Sequence, residues 1–252
     1  MTAIVPAQES DLEFDNGTFD SAAFTAQTLA GWQSLAAVID HTLLKPDATR
    51  RQVEGLCAEA ARYRFACAVV NPIWTSTAVS LLAGSGVPVG AVIGFPLGAS
   101  LVSTLRQEVV ALIRLGAREL DMVLPIGQLK SGNHHAVHHT VQAVVCVAHH
   151  HGVLLKVILE TSLLTMEEKL RASEIAIQAG ADFIKTSTGF AQGGATETDV
   201  ALLRGVAGAR CGVKASGGIR TLAHVRAMLE AGANRIGSSA SVAIVRELGA
   251  GE

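Results

Sequence analysis

From residue 35 onward, short and nearly unbroken apolar runs alternate with longer stretches in which apolar residues return every three or four positions. The runs cover residues 36–42, 65–70, 89–93, 119–124, 154–159, 183–186, 212–215 and 235–237. Runs of this kind predict strands buried on both faces, as in a parallel sheet. The intervening stretches carry the helical period over 48–63, 73–83, 103–115, 133–151, 165–179, 197–206, 222–231 and 242–248. Asp47 is placed to cap the first of these helices. Glycines at 84, 116, 180 and 232 stand where a helix stops and a short turn feeds the next strand.

Eight strand–helix units in about 220 residues predict one α/β domain, a (β/α)8 TIM barrel spanning residues 31–252. An open doubly wound sheet is the competing topology, and it usually carries a glycine fingerprint after its first strand. Here the first strand runs into Asp40-His41-Thr42 instead. Residues 1–30 belong to a different regime, with Glu9, Asp11, Glu13, Asp15 and Asp20, scattered phenylalanines and little periodicity. They are expected to form an acidic extension, flexible or loosely packed as a short helix.

In a barrel, chemistry sits at the C-terminal ends of the strands. The chain has six lysines, and three of them, Lys156, Lys185 and Lys214, lie inside predicted strands, where lysine is depleted. Desolvation penalises the charged form of a strand lysine, lowers its pKa and makes the amine a usable nucleophile. The bland alternative is a lysine that leaves the sheet and snorkels to water. Lys185 and Lys214 fall on neighbouring strands, and a second ammonium nearby lowers the pKa of the first. Such a pair suggests Schiff-base chemistry on a carbonyl substrate.

Asp121, on the fourth strand, is placed across the barrel mouth, either as the ion-pair partner of these lysines or as a proton relay. Lys156 starts its apolar run and is expected to lie too low to reach the chemistry. Lys185 is followed by Thr186, Ser187 and Thr188, hydroxyls able to hold a carbinolamine and its water, and by Gly189. Asp40 and Thr42, at the end of the first strand, are expected to orient substrate hydroxyls. Ser216-Gly217-Gly218 and Gly237-Ser238-Ser239 follow the seventh and eighth strands, the two loops with which barrels often bind phosphate through backbone N–H groups.

Hydrophobic residues make up 49% and charged residues 17%, enough for a large buried core. A net charge of -2 gives no reason to expect nucleic acid or an anionic membrane as partner, although a local site can still take an anion. The four cysteines, at 57, 67, 146 and 211, lack paired short spacing and read as buried reduced thiols. The N-terminus has neither a basic start nor an apolar signal core, so a cytoplasmic location is expected. His134 with His138, and His135 with His139, have the spacing of a metal pair. Their helix belongs to the outer ring and no carboxylate is interleaved, so a solvated face is expected. His41 is the one histidine expected at the barrel mouth. No metal and no cofactor are expected.

From residue 38 to residue 247 the chain resembles the class I deoxyribose-phosphate aldolases. The resemblance is carried by Ile-Asp-His-Thr-Leu-Leu-Lys-Pro from Ile39, Val-Ile-Gly-Phe-Pro-Leu-Gly-Ala from Val92, and Asp-Met-Val at Asp121. It continues with Leu-Lys-Val-Ile-Leu-Glu-Thr from Leu155, Lys-Thr-Ser-Thr-Gly-Phe from Lys185, and Val-Lys-Ala-Ser-Gly-Gly-Ile-Arg-Thr from Val213. It implies a (β/α)8 barrel that interconverts 2-deoxyribose 5-phosphate with glyceraldehyde 3-phosphate and acetaldehyde. The Schiff-base lysine falls on Lys185, the second lysine on Lys214 and the proton-relay aspartate on Asp121. A homodimer is among the assemblies this allows. Two departures stand out: Val69 where the family often has cysteine, and Pro125 in the segment after Asp121. The runner-up readings are an aldolase or transaldolase using the same lysine on another sugar phosphate, and a catalytically silent sugar-phosphate binder. Binding alone would not need a lysine pair.

Overall fold

The computed structural model describes residues 18–251. Two helices lead in, α1 (Ser21–Thr28) and α2 (Trp32–Ala36). β1 (Ile39–Leu43), α3 (Arg50–Tyr63), β2 (Cys67–Val70), α4 (Thr75–Leu81), β3 (Val89–Ile93), α5 (Val102–Arg114) and β4 (Glu119–Val123) make up the first half. The second half holds α6 (Ile126–Lys130), α7 (His134–His150), β5 (Leu154–Ile158), α8 (Met166–Gln178), β6 (Phe183–Lys185) and α9 (Glu197–Ala207). It ends with β7 (Gly212–Ser216), α10 (Leu222–Glu230), β8 (Arg235–Ser238) and α11 (Ser241–Glu247). All eight strands pair in parallel in chain order, and β8 pairs back onto β1 through Asp40 opposite Gly237. The sheet is therefore a closed barrel, as the alternation predicts.

Strand alternation sorts the side chains. Outward residues such as Leu120, Met122, Leu155, Val157, Ile184 and Val213 are fully buried against the helices and belong to the main core. Inside, Cys67, Val69 and Val92 pack with Leu44 and Phe95 as a separate apolar patch on the β2–β3 side. The remaining lumen is filled largely by charged side chains, which the site below uses.

Local chemistry sets the helix starts. Thr49, not Asp47, caps α3, and Gln52 completes a capping box with it. Thr165 with Glu168 does the same for α8, and Thr196 and Thr221 cap α9 and α10. Pro125 closes β4 and precedes α6, a short helix the periodicity did not predict. Of the extension, expected to be flexible or loosely packed as a short helix, residues 18–30 contain the short helix α1. Asp20 caps α1 through the Ala23 N–H at 2.9 Å, α1 packs on α10, and the Phe19 ring lies 4.0 Å from the Arg204 guanidinium. Arg204 is itself buried and donates to the carbonyls of Gly232, Gly208 and Cys211, so the lead-in helix covers a built surface. The acidic positions before residue 18 lie outside the described residues. Of the cysteines, Cys57, Cys67 and Cys211 are buried free thiols, whereas Cys146 is exposed on α7. No described helix is long and apolar enough to cross a membrane.

Candidate active site

Seven ionisable side chains meet inside the barrel: Asp40 from β1, Glu119 and Asp121 from β4, Lys156 from β5, Lys185 from β6, Lys214 from β7 and Arg235 from β8. Their contacts link strands that are not neighbours. Asp121 on β4 meets Lys214 on β7 at 2.7 Å, and Glu119 on β4 meets Arg235 on β8 at 2.8 Å. Such contacts are made only across the lumen of a closed barrel.

Asp121 is the hub. Its Oδ2 accepts from Lys185 at 2.8 Å and from Lys214 at 2.7 Å, and its Oδ1 accepts from Lys156 at 2.8 Å. Asp40 lies 2.5 Å from Lys214 Nζ and 2.6 Å from Arg235 Nε. Lys156 reaches Glu119 at 2.6 Å. Four cations thus face three carboxylates, one positive charge too many for a desolvated space in which unpaired charge is costly.

The titration behaviour follows from that imbalance. Burial pushes the Asp121 carboxyl upward, but Lys156, Lys185 and Lys214 outweigh it and hold it well below the usual carboxylate range. Asp40 is brought down to about 2 in the same way, burial being outweighed by Lys214, Arg235 and Lys156. Lys156 and Arg235 go above their ordinary values, because the surrounding carboxylates more than offset burial. Lys185 goes the other way, to about 8. Burial lowers it first, and the charges of Lys214 and Lys156 add to that, against the pull of Asp121. Lys185 therefore gives up its proton more easily than an ordinary lysine.

A cavity of about 380 Å³ opens above this network. Its wall comes from the end of β1 with Thr42 and Lys45, the segment after β6 with Thr188, Gly189 and Phe190, the segment after β7 from Ser216 to Arg220, and Gly237, Ser238 and Ser239. Of the three strand lysines only Lys185 lines it. Lys156 is 0% and Lys214 1% exposed, both beneath the floor. Gly217 and Gly218 have φ of +90° and +78°, a backbone region that favours glycine. At Gly237 a Cβ would come within 3.1 Å of Lys214 Cε and 2.9 Å of Ser216 Cβ, so the missing side chain makes room for the lysine. A larger hollow of about 600 Å³ lies beside Gly94–Ser100 and α5, away from all three lysines.

The expected site residues fall in different places. Asp40 does not line the cavity; it is fully buried and held by Arg235 and Lys214. Thr186 is also fully buried, its hydroxyl donating to Ser216 O at 3.0 Å and accepting from Ser216 N at 3.1 Å, which commits its proton and one of its two lone pairs. Asp121 sits under the floor rather than across the mouth. Lys156 does not line the cavity, yet it bonds the same carboxylate as Lys185. His41 is not at the mouth, since its Nε2 lies 2.8 Å from Glu59 of α3 on the outer side of the strand. The histidines of α7 at 134, 135, 138 and 139 are partly or fully exposed, and His149 meets Asp182 at 2.9 Å. Thr42, Gly189, Gly217, Gly218, Gly237, Ser238 and Ser239 do line the cavity.

Three participants carried little sequence signal. Arg235 opens β8 and looks like an ordinary strand-edge residue. Glu119 looks like a solvent-facing strand start. Glu160, at φ +56°, is buried and receives the Thr188 hydroxyl and, at 3.3 Å, its backbone N–H. Its place beside a cavity-lining threonine becomes visible only in space. Among the described residues, Asp40, Cys67 and Glu119 bring metal-type donor atoms within 4.8 Å of one another. Their carboxylates already serve Arg235 and Lys156, and burial with the Glu119 and Asp40 charges keeps the Cys67 thiol protonated.

The arrangement suits an amine nucleophile over a shared carboxylate, under a cavity with a glycine-rich wall. Known proteins point the same way. A deoxyribose-phosphate aldolase of Geobacillus sp. (strain WCH70) is 53% identical over 212 residues, 84% of this chain and 95% of that protein. One from Listeria monocytogenes serovar 1/2a is also 53% identical, over 84% of this chain and 95% of its own length. The deoxyribose phosphate aldolase of Aeropyrum pernix, solved as a tetramer, superposes with a TM-score of 0.84 at 36% identity, covering 90% of this chain and 96% of that one. The family model for DeoC/LacD family aldolases matches residues 34–247, nearly the whole barrel, and the chain belongs to that family.

Proposed function

We propose that this enzyme is a class I deoxyribose-phosphate aldolase whose imine forms on Lys185. The observation that carries the reading is that, of the three strand lysines, Lys185 alone reaches the cavity, where burial and neighbouring ammonium charge lower its amine to about 8. The neutral amine attacks C1 of the open-chain sugar, and loss of water leaves an iminium ion. The C3 hydroxyl then gives up its proton as the C2–C3 bond breaks. Glyceraldehyde 3-phosphate leaves, and the bonding electrons remain as an enamine on Lys185. Protonation at C2 and hydrolysis release acetaldehyde and restore the amine.

Asp121 stays an anion throughout this cycle and steadies the positive charge that forms on the Lys185 nitrogen. Lys214 shares the same carboxylate oxygen and is the nearest ammonium from which a proton can be passed, through water, to the reacting atoms. The segments after β7 and β8 suit the phosphate, with the Gly217 and Gly218 backbone approaching closely and Arg220 and Lys45 adding positive charge at the rim. Thr42 and Thr188 are placed for the sugar hydroxyls.

The test is borohydride reduction in the presence of acetaldehyde, followed by mass mapping. An ethyl adduct on Lys185 is expected. An adduct on Lys214 or Lys156, or none with active enzyme, would remove the proposed nucleophile.

A further inference from the structure

We infer that Lys156 is a positioning residue for this aldol chemistry: it grips Asp121 by Oδ1 from below, so that only Oδ2 is offered to Lys185 and Lys214. The inference rests on the reading of Lys185 as the imine-forming lysine. Lys156 Nζ lies 2.8 Å from Asp121 Oδ1 and 2.6 Å from Glu119 Oε2, and 3.8 Å from Asp40 Oδ2. It is fully buried and does not border the cavity, so it acts through Asp121 or not at all.

The grip is itself braced. Arg235 Nη2 holds Glu119 at 2.8 and 2.9 Å, and Arg235 Nε holds Asp40 at 2.6 Å. A chain of contacts therefore runs from β8 through Glu119 to Lys156 and on to Asp121; its first and last links are charge-assisted hydrogen bonds and the middle one is an ion pair. Without Lys156, the carboxylate of Asp121 is free to turn about its terminal torsion, which is broad and roughly two-fold. It could then offer both oxygens to a single lysine. With Oδ1 held, Lys185 and Lys214 must share Oδ2, and Lys185 receives only part of the anion's pull.

A second consequence follows for charge. The groups that face Lys185 are Asp121 from β4, Lys214 from β7 and Lys156 from β5, with Asp40, Glu119 and Arg235 one contact further out. Lys156 contributes positive charge to that set. Its loss leaves Asp121 with two ammonium partners instead of three, and Lys185 holds its proton to higher pH.

The experiment compares the unmodified enzyme with Lys156→Met and with the double variant Lys156→Met/Glu119→Gln. The double variant removes one buried cation and one buried carboxylate together, which protects the fold if the single change does not. Three quantities are read: borohydride trapping with acetaldehyde, exchange of the acetaldehyde methyl protons in D2O, and the pH profile of kcat/KM for cleavage. Methyl exchange reports the iminium–enamine proton transfer itself. In both variants the adduct is expected to stay on Lys185, with exchange and kcat down about tenfold or more and KM changed by roughly threefold or less. In the single variant the acid limb of the profile is expected to move up by about one pH unit, a tenfold loss of free amine at neutral pH. The double variant is expected to keep the slow exchange, because Oδ1 still lacks its partner. A folded variant of either kind that exchanges at the unmodified rate would overturn the inference. Absence of any adduct on Lys185 in the unmodified enzyme would instead count against the proposed function.

Discussion

Lys214→Leu tests how the barrel makes Lys185 nucleophilic. In the intact site both ammonium groups bond Asp121 Oδ2, Lys185 at 2.8 Å and Lys214 at 2.7 Å. Two nitrogens on one oxygen at these lengths lie within about 5.5 Å of each other. At an effective dielectric of about 20, two unit charges at that separation repel by about 3 kcal/mol. Taken alone, that repulsion corresponds to about two pH units. Asp121 also turns more fully toward Lys185 when its competitor leaves, which raises the amine further, while the leucine leaves Asp40 with Arg235 as its close cation. Lys185 is therefore expected to move from about 8 back toward the ordinary lysine value of 10.5. At pH 7 roughly one Lys185 in ten is neutral in the unmodified enzyme, and ten- to hundredfold fewer in the variant. The assay is kcat/KM for cleavage against pH, beside borohydride trapping at pH 7 and pH 9.5. The acid limb should shift up by one to two units, and trapping should be slow at pH 7 and largely recovered at pH 9.5. An unmoved limb in a folded variant would refute the electrostatic account of Lys185.

Lys185→Met should abolish imine trapping and raise stability, since it leaves three cations facing three carboxylates; the gain at pH 7 is expected to be on the order of 1–3 kcal/mol by urea or thermal unfolding. Between about pH 8 and 10.5 the unfolded chain keeps a proton that folded Lys185 has lost, so the unmodified protein gains stability with rising pH there, and the advantage of the variant should shrink across that window. Gly237→Ala should push against Lys214 Cε and Ser216 Cβ, lowering kcat about tenfold or more with a cooperative melt retained; full activity would mean that the lysine has room to move. Ser239→Asp puts a carboxylate on the cavity wall beside Gly237 and Ser238, and should raise KM for the phosphorylated sugar at least about tenfold more than for deoxyribose. Equal effects on the two substrates would move the phosphate elsewhere.

The closed barrel was legible in the sequence because its cause is local and repeated. Each strand is apolar on its helix side, each helix keeps its own period, and glycines stop the helices at a regular distance from the next strand. Lys185 was legible for a related reason: a lysine in a buried run is expensive, and hydroxyls and glycines follow it. The same reading sets Lys156 aside because it starts its apolar run, and the pairing does put it two residues below the position level with Lys185, about 6.6 Å along the chain direction. That measure ignores that Lys156 is the direct pairing partner of Asp121 in the β4–β5 ladder, and that the long stem of Lys185 reaches the same carboxylate. Asp40 and Thr186 were assigned to the substrate because they stand at strand ends, yet which side of the strand faces the cavity, and who already claims the polar atoms, depends on neighbours far away in sequence. Arg235 meets Asp40 across 195 residues and Glu119 across 116. The identity of the charged residues was therefore written in the chain, but their count inside one lumen, four cations against three carboxylates, existed only once the sheet closed. That count lowers the amine of Lys185, because desolvation makes an unpaired charge costly only where the fold has removed the water.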